Sequence, residues 1–211
     1  MTAVKGYTMK LGIICGSHRK NSQSLKVAKY IEKSFTKIFN DTCYLLDLGQ
    51  NPIPLWDESI WQGDQNWKDL WDPISTKLQE CNAFVFVVPD WSGMAPSGVK
   101  NLFLMCGGAS GVLAHKPSLL VGVSSARGGS YPIAELRMSS YKNTRICHIP
   151  EHLIIRDVEQ MLVDEPAVNE DDKYIRGRID YSLKVLDKYA EALDLVRASN
   201  IVDAKTYPFG M

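Results

Sequence analysis

The sequence has no excess of charge of either sign, because 24 basic residues balance 24 acidic residues in a chain of 211. A general nucleic-acid-binding protein usually needs a basic excess to meet phosphates, so we expect no nucleic-acid partner. The balance argues equally against an acidic, highly charged electron shuttle. Repulsion between copies is weak at low net charge, so self-association is allowed.

Long apolar runs are also missing. No stretch approaches the roughly 20 residues that cross a membrane. The amino-terminal apolar run is too short and too polar for the core of a secretory signal. We therefore expect a cytoplasmic protein with no membrane partner.

The sequence is equally poor in metal-binding and redox patterns. Its five cysteines are spread along the chain without a C-x-x-C pair, and its four histidines show no metal-ligand spacing beside cysteines or carboxylates. We expect reduced, mostly buried thiols and no metal site. The cysteines are Cys15, Cys43, Cys81, Cys106 and Cys147.

Apolar runs alternate with amphipathic segments along the whole chain. This alternation predicts βαβ units, and hence an α/β fold with a parallel sheet. Five strands favour a doubly wound, flavodoxin-like sheet of order 2-1-3-4-5. We predict a single domain over residues 1–211 with a C-terminal helix at about 173–197. The predicted strands are Met9–Cys15, Cys43–Leu48, Ala83–Pro89, Ser118–Ser124 and Arg145–Pro150, and the predicted helices are Ser24–Phe39, Asn66–Glu80, Ser97–Met105, Ile133–Tyr141 and Lys173–Arg197.

Three polar loops follow the ends of the predicted first, third and fourth strands. They read GSHRKNSQS, PDWSGMAPSG and SSARGGSY. Ligands of such sheets bind beyond the carboxyl ends of the strands, where these loops would converge. The sequence therefore predicts a ligand site there.

The first loop has the composition of a phosphate-binding loop. It ends at a helix N-terminus, where free N–H groups and the helix dipole favour an anion. Gly16 allows close backbone approach, the serines can donate hydrogen bonds, and Arg19 adds a guanidinium. The alternative is simple capping, in which Ser22 or Ser24 starts the helix and Arg19 is solvated.

Other anion-binding loops fit less well. There is no G-x-x-x-x-G-K-[ST] and no G-x-G-x-x-G after the first strand. Cys15 and Arg19 are too close in sequence for a cysteine phosphatase loop, so Cys15 is interpreted as packing at the strand end.

The three loops resemble the motifs of the NADPH-dependent FMN reductase family, which includes chromate, quinone and azo-dye reductases. The first motif matches at Gly16, Ser17, Arg19 and Ser22; the second matches at Pro89, Pro96, Lys100 and Asn101; the third corresponds to Ser124–Gly129 followed by Leu136 and Arg137. Asp90, Trp91 and Ser92 stand where the family usually has Glu-Tyr-Asn.

The resemblance implies an FMN site in which the first loop holds the phosphate and the other two line the isoalloxazine ring. NADPH or NADH would be the co-substrate, and a small molecule such as a quinone, a nitro or azo compound, a metal oxyanion or free flavin would be the acceptor. The flavin carries the chemistry, so no catalytic side chain is named. The implied phosphate residues are Ser17, Arg19, Ser22, Gln23 and Ser24; the implied ring residues are Pro89, Asp90, Trp91, Ser92, Gly93, Ser125, Ala126, Arg127, Gly128 and Gly129.

Two other functions stay open. One is an FMN-binding electron-transfer or sensing module with little turnover, and the other is a flavin-free scaffold. The resemblance also implies a homodimer or homotetramer. Trp56, Trp61, Trp67 and Trp71 are candidates for part of the subunit boundary, since exposed tryptophans are costly unless covered.

Overall fold

A computed structural model describes residues 7–163, 165–199, 201–203 and 205–210. The strands are β1 Leu11–Cys15, β2 Tyr44–Asp47, β3 Ala83–Pro89, β4 Pro117–Val123 and β5 Cys147–Ile155. The α-helices are α1 Gln23–Phe39, α2 Gln65–Glu80, α3 Ser97–Met105, α4 Ser130–Ser139, α5 Tyr141–Thr144 and α6 Glu170–Ala198. Short 3-10 helices occupy Glu58–Gln62, Gly108–Ser110 and Val158–Gln160.

The five strands form one parallel sheet of order β2-β1-β3-β4-β5, which confirms the predicted topology. Every residue of β1, β3 and β4 is buried, as expected for strands covered on both faces. Alternate side chains pack into two core layers. Ile13, Val85 and Val121 belong to the layer with α1 and α6. Ile14, Phe86 and Leu120 belong to the layer with α2, α3 and α4.

The fifth strand is longer than predicted and ends at Ile155 rather than Pro150. Its pairing with β4 changes register between Ser118 and Leu120, opposite the segment that contains Pro150. The Arg137 guanidinium donates hydrogen bonds to the carbonyls of Ile149, Pro150 and Glu151 at 2.6, 3.2 and 3.2 Å. The proline and the irregular register break the alternation of apolar and polar residues that marks a strand. The sequence therefore predicts the end of β5 at Pro150, five residues too early.

The long segment between β2 and α2 is anchored by one buried amide. Asn101 of α3 is 3% exposed. Its Oδ1 accepts a hydrogen bond from the Trp56 N–H at 2.8 Å, and its Nδ2 donates to the Pro54 carbonyl at 2.7 Å. Asn101 therefore holds this segment against α3, which gives a structural role to a residue that the motif comparison singled out.

Two helices begin three residues earlier than predicted. Helix α4 starts at Ser130 instead of Ile133, and α6 starts at Glu170 instead of Lys173, with Asn169 as its N-cap. Helix α2 continues through Pro73. The described part of the chain contains no helix with both the length and the hydropathy of a membrane span.

All five cysteines are free, and Cys15, Cys81 and Cys106 are buried. Burial raises the pKa of the Cys15 thiol to about 11. A thiol with that pKa is protonated at neutral pH, so Cys15 is not a nucleophile and packs at the strand end as expected. Among the residues described, no cluster of three or more potential metal ligands is found.

Candidate functional site

One cleft lies at the carboxyl ends of β1, β3 and β4, where the three polar loops meet. Nine of the fifteen predicted site residues line it, namely Ser17, Arg19, Ser22, Gln23, Ser24, Pro89, Asp90, Trp91 and Ser125. Ser92, Gly93, Ala126, Arg127, Gly128 and Gly129 lie in the same loops but outside the lining. Val123, Ser124, Val158 and Glu159 complete the wall.

The first loop leaves β1 through a close contact that requires glycine. The Gly16 N–H donates to the Val87 carbonyl at 2.9 Å, and a Cβ at Gly16 would lie 2.4 Å from Val99 Cγ2. Ser22 is the N-cap of α1, and its Oγ accepts from the Leu25 N–H at 3.0 Å. The capping alternative is thus right for Ser22. The Ser22 side chain accepts from only one N–H of the first helical turn, that of Leu25, and leaves the preceding N–H groups of Gln23 and Ser24 as possible donors to a ligand.

Arg19 is the exposed cation of this loop. Its backbone N–H donates to Ser17 Oγ at 3.2 Å, which fixes the turn. Its guanidinium makes no ion pair with the described residues, and its side chain lines the cleft. Because the helix N-terminus and this guanidinium share one cleft, an anion there would meet both.

The second loop is a tight turn that presents Trp91. Trp91 and Met94 exchange backbone hydrogen bonds of 3.2 and 3.0 Å. The central residues Ser92 and Gly93 both have positive φ, 55° and 78°, as in a type I′ turn. The Trp91 ring meets the edge of His18 at a centroid distance of 5.0 Å and an interplanar angle of 70°. His18 was missed from the sequence, since nothing local shows that its ring would reach the second loop.

Asp90 joins the second loop to the third. Its Oδ1 accepts from the Gly93 N–H at 2.8 Å, and its Oδ2 accepts from the Gly129 N–H at 2.6 Å. The Asp90 N–H donates in turn to the Val123 carbonyl at 2.8 Å. Oδ1 thus closes the second loop on itself, and Oδ2 ties the second loop to the third, although Asp90 also borders the cleft.

The third loop is held from inside by Ser124. Its Oγ accepts from the N–H groups of Ala126 at 3.1 Å and Gly128 at 3.2 Å. With the Gly129 N–H bound to Asp90, the loop's remaining donors toward a ligand are the N–H groups of Ser125 and Arg127. For these two, no acceptor lies within hydrogen-bonding reach in the described residues.

The two glycines of this loop are needed for different reasons. A Cβ at Gly128 would lie 2.7 Å from Asp90 Oδ2 and 3.2 Å from Ser124 Oγ, so the carboxylate excludes any side chain there. Gly128 does not have a positive φ, whereas Gly129 does, at 99°. The backbone freedom of glycine is therefore used at Gly129.

The site contacts that the sequence did not reveal come mostly from the segment after β5. Val158 and Glu159 reach the cleft from a stretch without a recognisable motif. Lys26 of α1 holds this segment against the helix. Its Nζ donates hydrogen bonds to the carbonyls of Val158 and Met161 at 2.5 and 2.8 Å. Burial lowers the pKa of Lys26, and the negative charges of Asp172 and Glu159 oppose that shift.

The chain belongs to a known family of flavoenzymes. Residues 9–160 match the family model described as NADPH-dependent FMN reductase. The chain is therefore a member of the NADPH-dependent FMN reductases, FMN-dependent oxidoreductases that use NAD(P)H as co-substrate. No curated protein matches the sequence.

Solved structures share the fold at low sequence identity. One is the flavoenzyme NAD(P)H:acceptor oxidoreductase FerB from Paracoccus denitrificans, with 17% identity, a TM-score of 0.68, and coverage of 86% of this chain and 99% of that chain. Another is an FMN-dependent NADH-azoreductase from Bacillus anthracis in complex with FMN, with 16% identity, a TM-score of 0.57, and coverage of 85% and 100%. An oxidoreductase from Corynebacterium diphtheriae has 13% identity, a TM-score of 0.60, and coverage of 88% and 96%.

Proposed function

We propose that the cleft binds FMN with its phosphate at the first loop and its ring between the second and third loops. The observation that carries this proposal is the convergence of all three loops on one cleft, with the N-terminus of α1 and the unpaired Arg19 guanidinium at one end. The Ser125 N–H remains as a donor at the other end. This donor set fits an anionic phosphate and a ring with a polar edge.

A bound FMN would supply the chemistry, which is acceptance of a hydride from the nicotinamide and transfer of two electrons to the acceptor. The residues of this chain bind and orient. Ser17 and Arg19 shape the phosphate end, and Trp91, held by His18, forms a wall beside the second loop. The acceptor is a small molecule such as a quinone, a nitro or azo compound, a metal oxyanion or free flavin. We place this activity in the cytoplasm.

The decisive experiment is to purify the protein, identify its bound cofactor and follow NAD(P)H oxidation with an added quinone. Yellow protein with released FMN and sustained oxidation supports the enzyme. Bound FMN with little turnover would favour the electron-transfer or sensing module. Protein that stays colourless when FMN is added would favour the flavin-free scaffold.

The Arg19→Ala variant tests the phosphate end. We expect FMN affinity to fall by about 1.5–3 kcal/mol, roughly tenfold to more than a hundredfold, because one charge-assisted hydrogen bond to the phosphate is lost. Titration of apoprotein with FMN by fluorescence quenching gives the Kd. Lys20→Ala is the matched control, since Lys20 is an exposed cation next to Arg19 that does not line the cleft. Equal affinity of both variants and the wild type would leave Arg19 as a solvated surface residue.

The cleft geometry also predicts the kinetic order. The second and third loops close around one region, so the nicotinamide and the acceptor would occupy the same space in turn. We expect parallel double-reciprocal lines when NAD(P)H and a quinone are varied together, which is the pattern of a ping-pong mechanism. Intersecting lines would indicate a ternary complex and two separate pockets.

We also propose that the protein is a homodimer or homotetramer. Four tryptophans were predicted to form part of the subunit boundary, and for two of them the prediction is wrong. Trp67 and Trp71 are each 7% exposed and pack within the chain's own core. Trp61 is 76% exposed and contacts Trp56 edge to face. Trp61 remains the candidate for burial by a second copy. Light scattering at micromolar concentration should give a multiple of the 23.7 kDa chain mass, and a monomer would contradict the proposal.

A further inference from the structure

Arg156 follows β5 and reaches across to the third loop. Its side chain is exposed, yet its Nε donates to the carbonyls of Arg127 at 2.8 Å and Gly128 at 3.3 Å. No sequence motif points to Arg156, because its partners lie 28 and 29 residues earlier in the chain.

These bonds complete a clamp on two successive peptide groups. The first peptide has its carbonyl, of Arg127, bound by Arg156 and its N–H, of Gly128, bound by Ser124 Oγ. The second has its carbonyl, of Gly128, bound by Arg156 and its N–H, of Gly129, bound by Asp90 Oδ2. Each peptide is therefore held at both ends.

The second peptide lies between opposite charges. Its carbonyl faces the Arg156 guanidinium, and its N–H faces the Asp90 carboxylate, so its dipole is aligned with both. Charge-assisted hydrogen bonds are stronger than neutral ones. Three neighbouring strands supply the parts: Asp90 follows β3, the glycines follow β4, and Arg156 follows β5.

Backbone bonds bring Arg156 into place. The N–H groups of Asp157 and Val158 donate to the carbonyls of Ala126 and Ser124, each at 3.2 Å. The segment after β5 thus runs alongside the third loop. The guanidinium therefore places a positive charge against the third loop, whose Ser125 lines the cleft.

We propose that Arg156 is a positioning residue for the ring end of the FMN site. It holds the third loop in the conformation that presents the Ser125 N–H to the cleft, and its charge favours the reduced, anionic cofactor over the oxidised one. This inference rests on the proposed function. Arg156 need not touch the cofactor, because it acts through the carbonyls of the loop.

The test compares Arg156→Ala, Arg156→Gln and Arg156→Lys by FMN titration of the oxidised and the dithionite-reduced protein. For Arg156→Ala we expect about tenfold weaker binding of oxidised FMN, in line with the loss of hydrogen bonds from a charged donor. Reduced FMN should lose a further factor of about three to ten, since a nearby positive charge is removed. A tenfold differential loss lowers the two-electron reduction potential by about 30 mV.

The conservative variants separate charge from packing. Arg156→Lys should restore most of the ratio between the two affinities, whereas Arg156→Gln should not. Lys29→Ala, which removes an exposed cation from α1, should change neither affinity. Amide hydrogen exchange at Gly128 and Gly129, measured without FMN, should be faster in Arg156→Ala than in the wild type.

Three results would overturn the inference. Wild-type affinities and exchange rates in Arg156→Ala would show that the clamp is unimportant. Equal weakening of both oxidation states, without rescue by lysine, would leave a purely structural role. A wild-type protein that binds no FMN would overturn the proposed function and this role together, whereas FMN-binding wild type with an indifferent Arg156→Ala would overturn this inference alone.

Discussion

Replacing Asp90 with alanine is expected to weaken FMN binding at least a hundredfold and to lower the free energy of unfolding by about 2–4 kcal/mol. The variant removes Oδ2, which joins the second loop to the third through the Gly129 N–H, and Oδ1, which closes the second loop through the Gly93 N–H. Both N–H groups would lose their charged partner, and the two loops would lose the side-chain bond between them. FMN titration gives the affinity, and urea unfolding of the apoprotein gives the stability.

Two matched variants show whether the carboxylate acts as we infer. Asp90→Asn keeps the shape but offers one acceptor oxygen, so one of the two N–H groups would face an amide NH2. We expect an intermediate loss of both affinity and stability. Asp90→Glu restores the family's usual residue with a side chain that is one methylene longer. Asp90 Oδ2 already packs closely against Gly128, since a Cβ there would lie 2.7 Å from it, so the longer side chain has little room. Full FMN affinity in Asp90→Ala would mean that the loops are held by other contacts.

The central strands and helix α3 could be predicted from the sequence because their signals are local. Strand β3 and helix α3 have the predicted bounds, Ala83–Pro89 and Ser97–Met105. A strand covered on both faces must be apolar throughout, and Pro96 sets the start of the helix. Strand β5 was predicted less well, since its continuation past Pro150 depends on pairing with β4 and on Arg137 from α4.

The convergence of the three loops on one cleft could be predicted, but the contacts of individual side chains could not. Polar residues after strand ends indicated the edge of the sheet where this cleft lies. The hydrogen bonds of Asp90, the contact of His18 with Trp91 and the reach of Arg156 to the third loop all join residues distant in sequence. A single sequence carries no record of such pairs. The burial of the tryptophans could not be predicted either. A pattern of aromatic residues does not show which of them face the core and which face the surface.

Asp172 is the clearest case of a residue whose role is invisible in the sequence. It stands among acidic residues at the start of α6, where a solvated charge that favours the helix dipole is the ordinary interpretation. The structure buries its side chain completely. Its oxygens accept from the N–H groups of Leu162 at 2.8 Å and Val168 at 3.1 Å, and they pair with Arg176 at 3.0 Å.

The electrostatics of Asp172 favour its charged form in the folded protein. Burial alone would raise its pKa, but the hydrogen bonds from Arg176 and from the N–H groups of Leu162 and Val168 outweigh burial and lower it. A lowered folded-state pKa means that this stabilisation is present above the pKa of an unfolded aspartate. It is lost as the pH falls through the folded value.

We expect Asp172→Ala to lower the free energy of unfolding at neutral pH by about 3–5 kcal/mol, because two N–H groups lose their acceptor and the mostly buried Arg176 guanidinium loses its buried carboxylate while keeping the exposed carboxylate of Glu165. The Arg176 side chain is only 11% exposed, so water cannot fully replace the carboxylate.

Asp171→Ala is the matched control, since Asp171 is an exposed acid in the same helical turn and its loss should cost no more than about 1 kcal/mol. Urea unfolding of the three proteins measures the difference. The Asp172 variant should also lose the share of acid-dependent stability that Asp172 contributes, whereas the share from groups such as Glu135, whose pKa is also lowered, should remain. Equal stability of the two variants would mean that the segment from Leu162 to Val168 is held without Asp172.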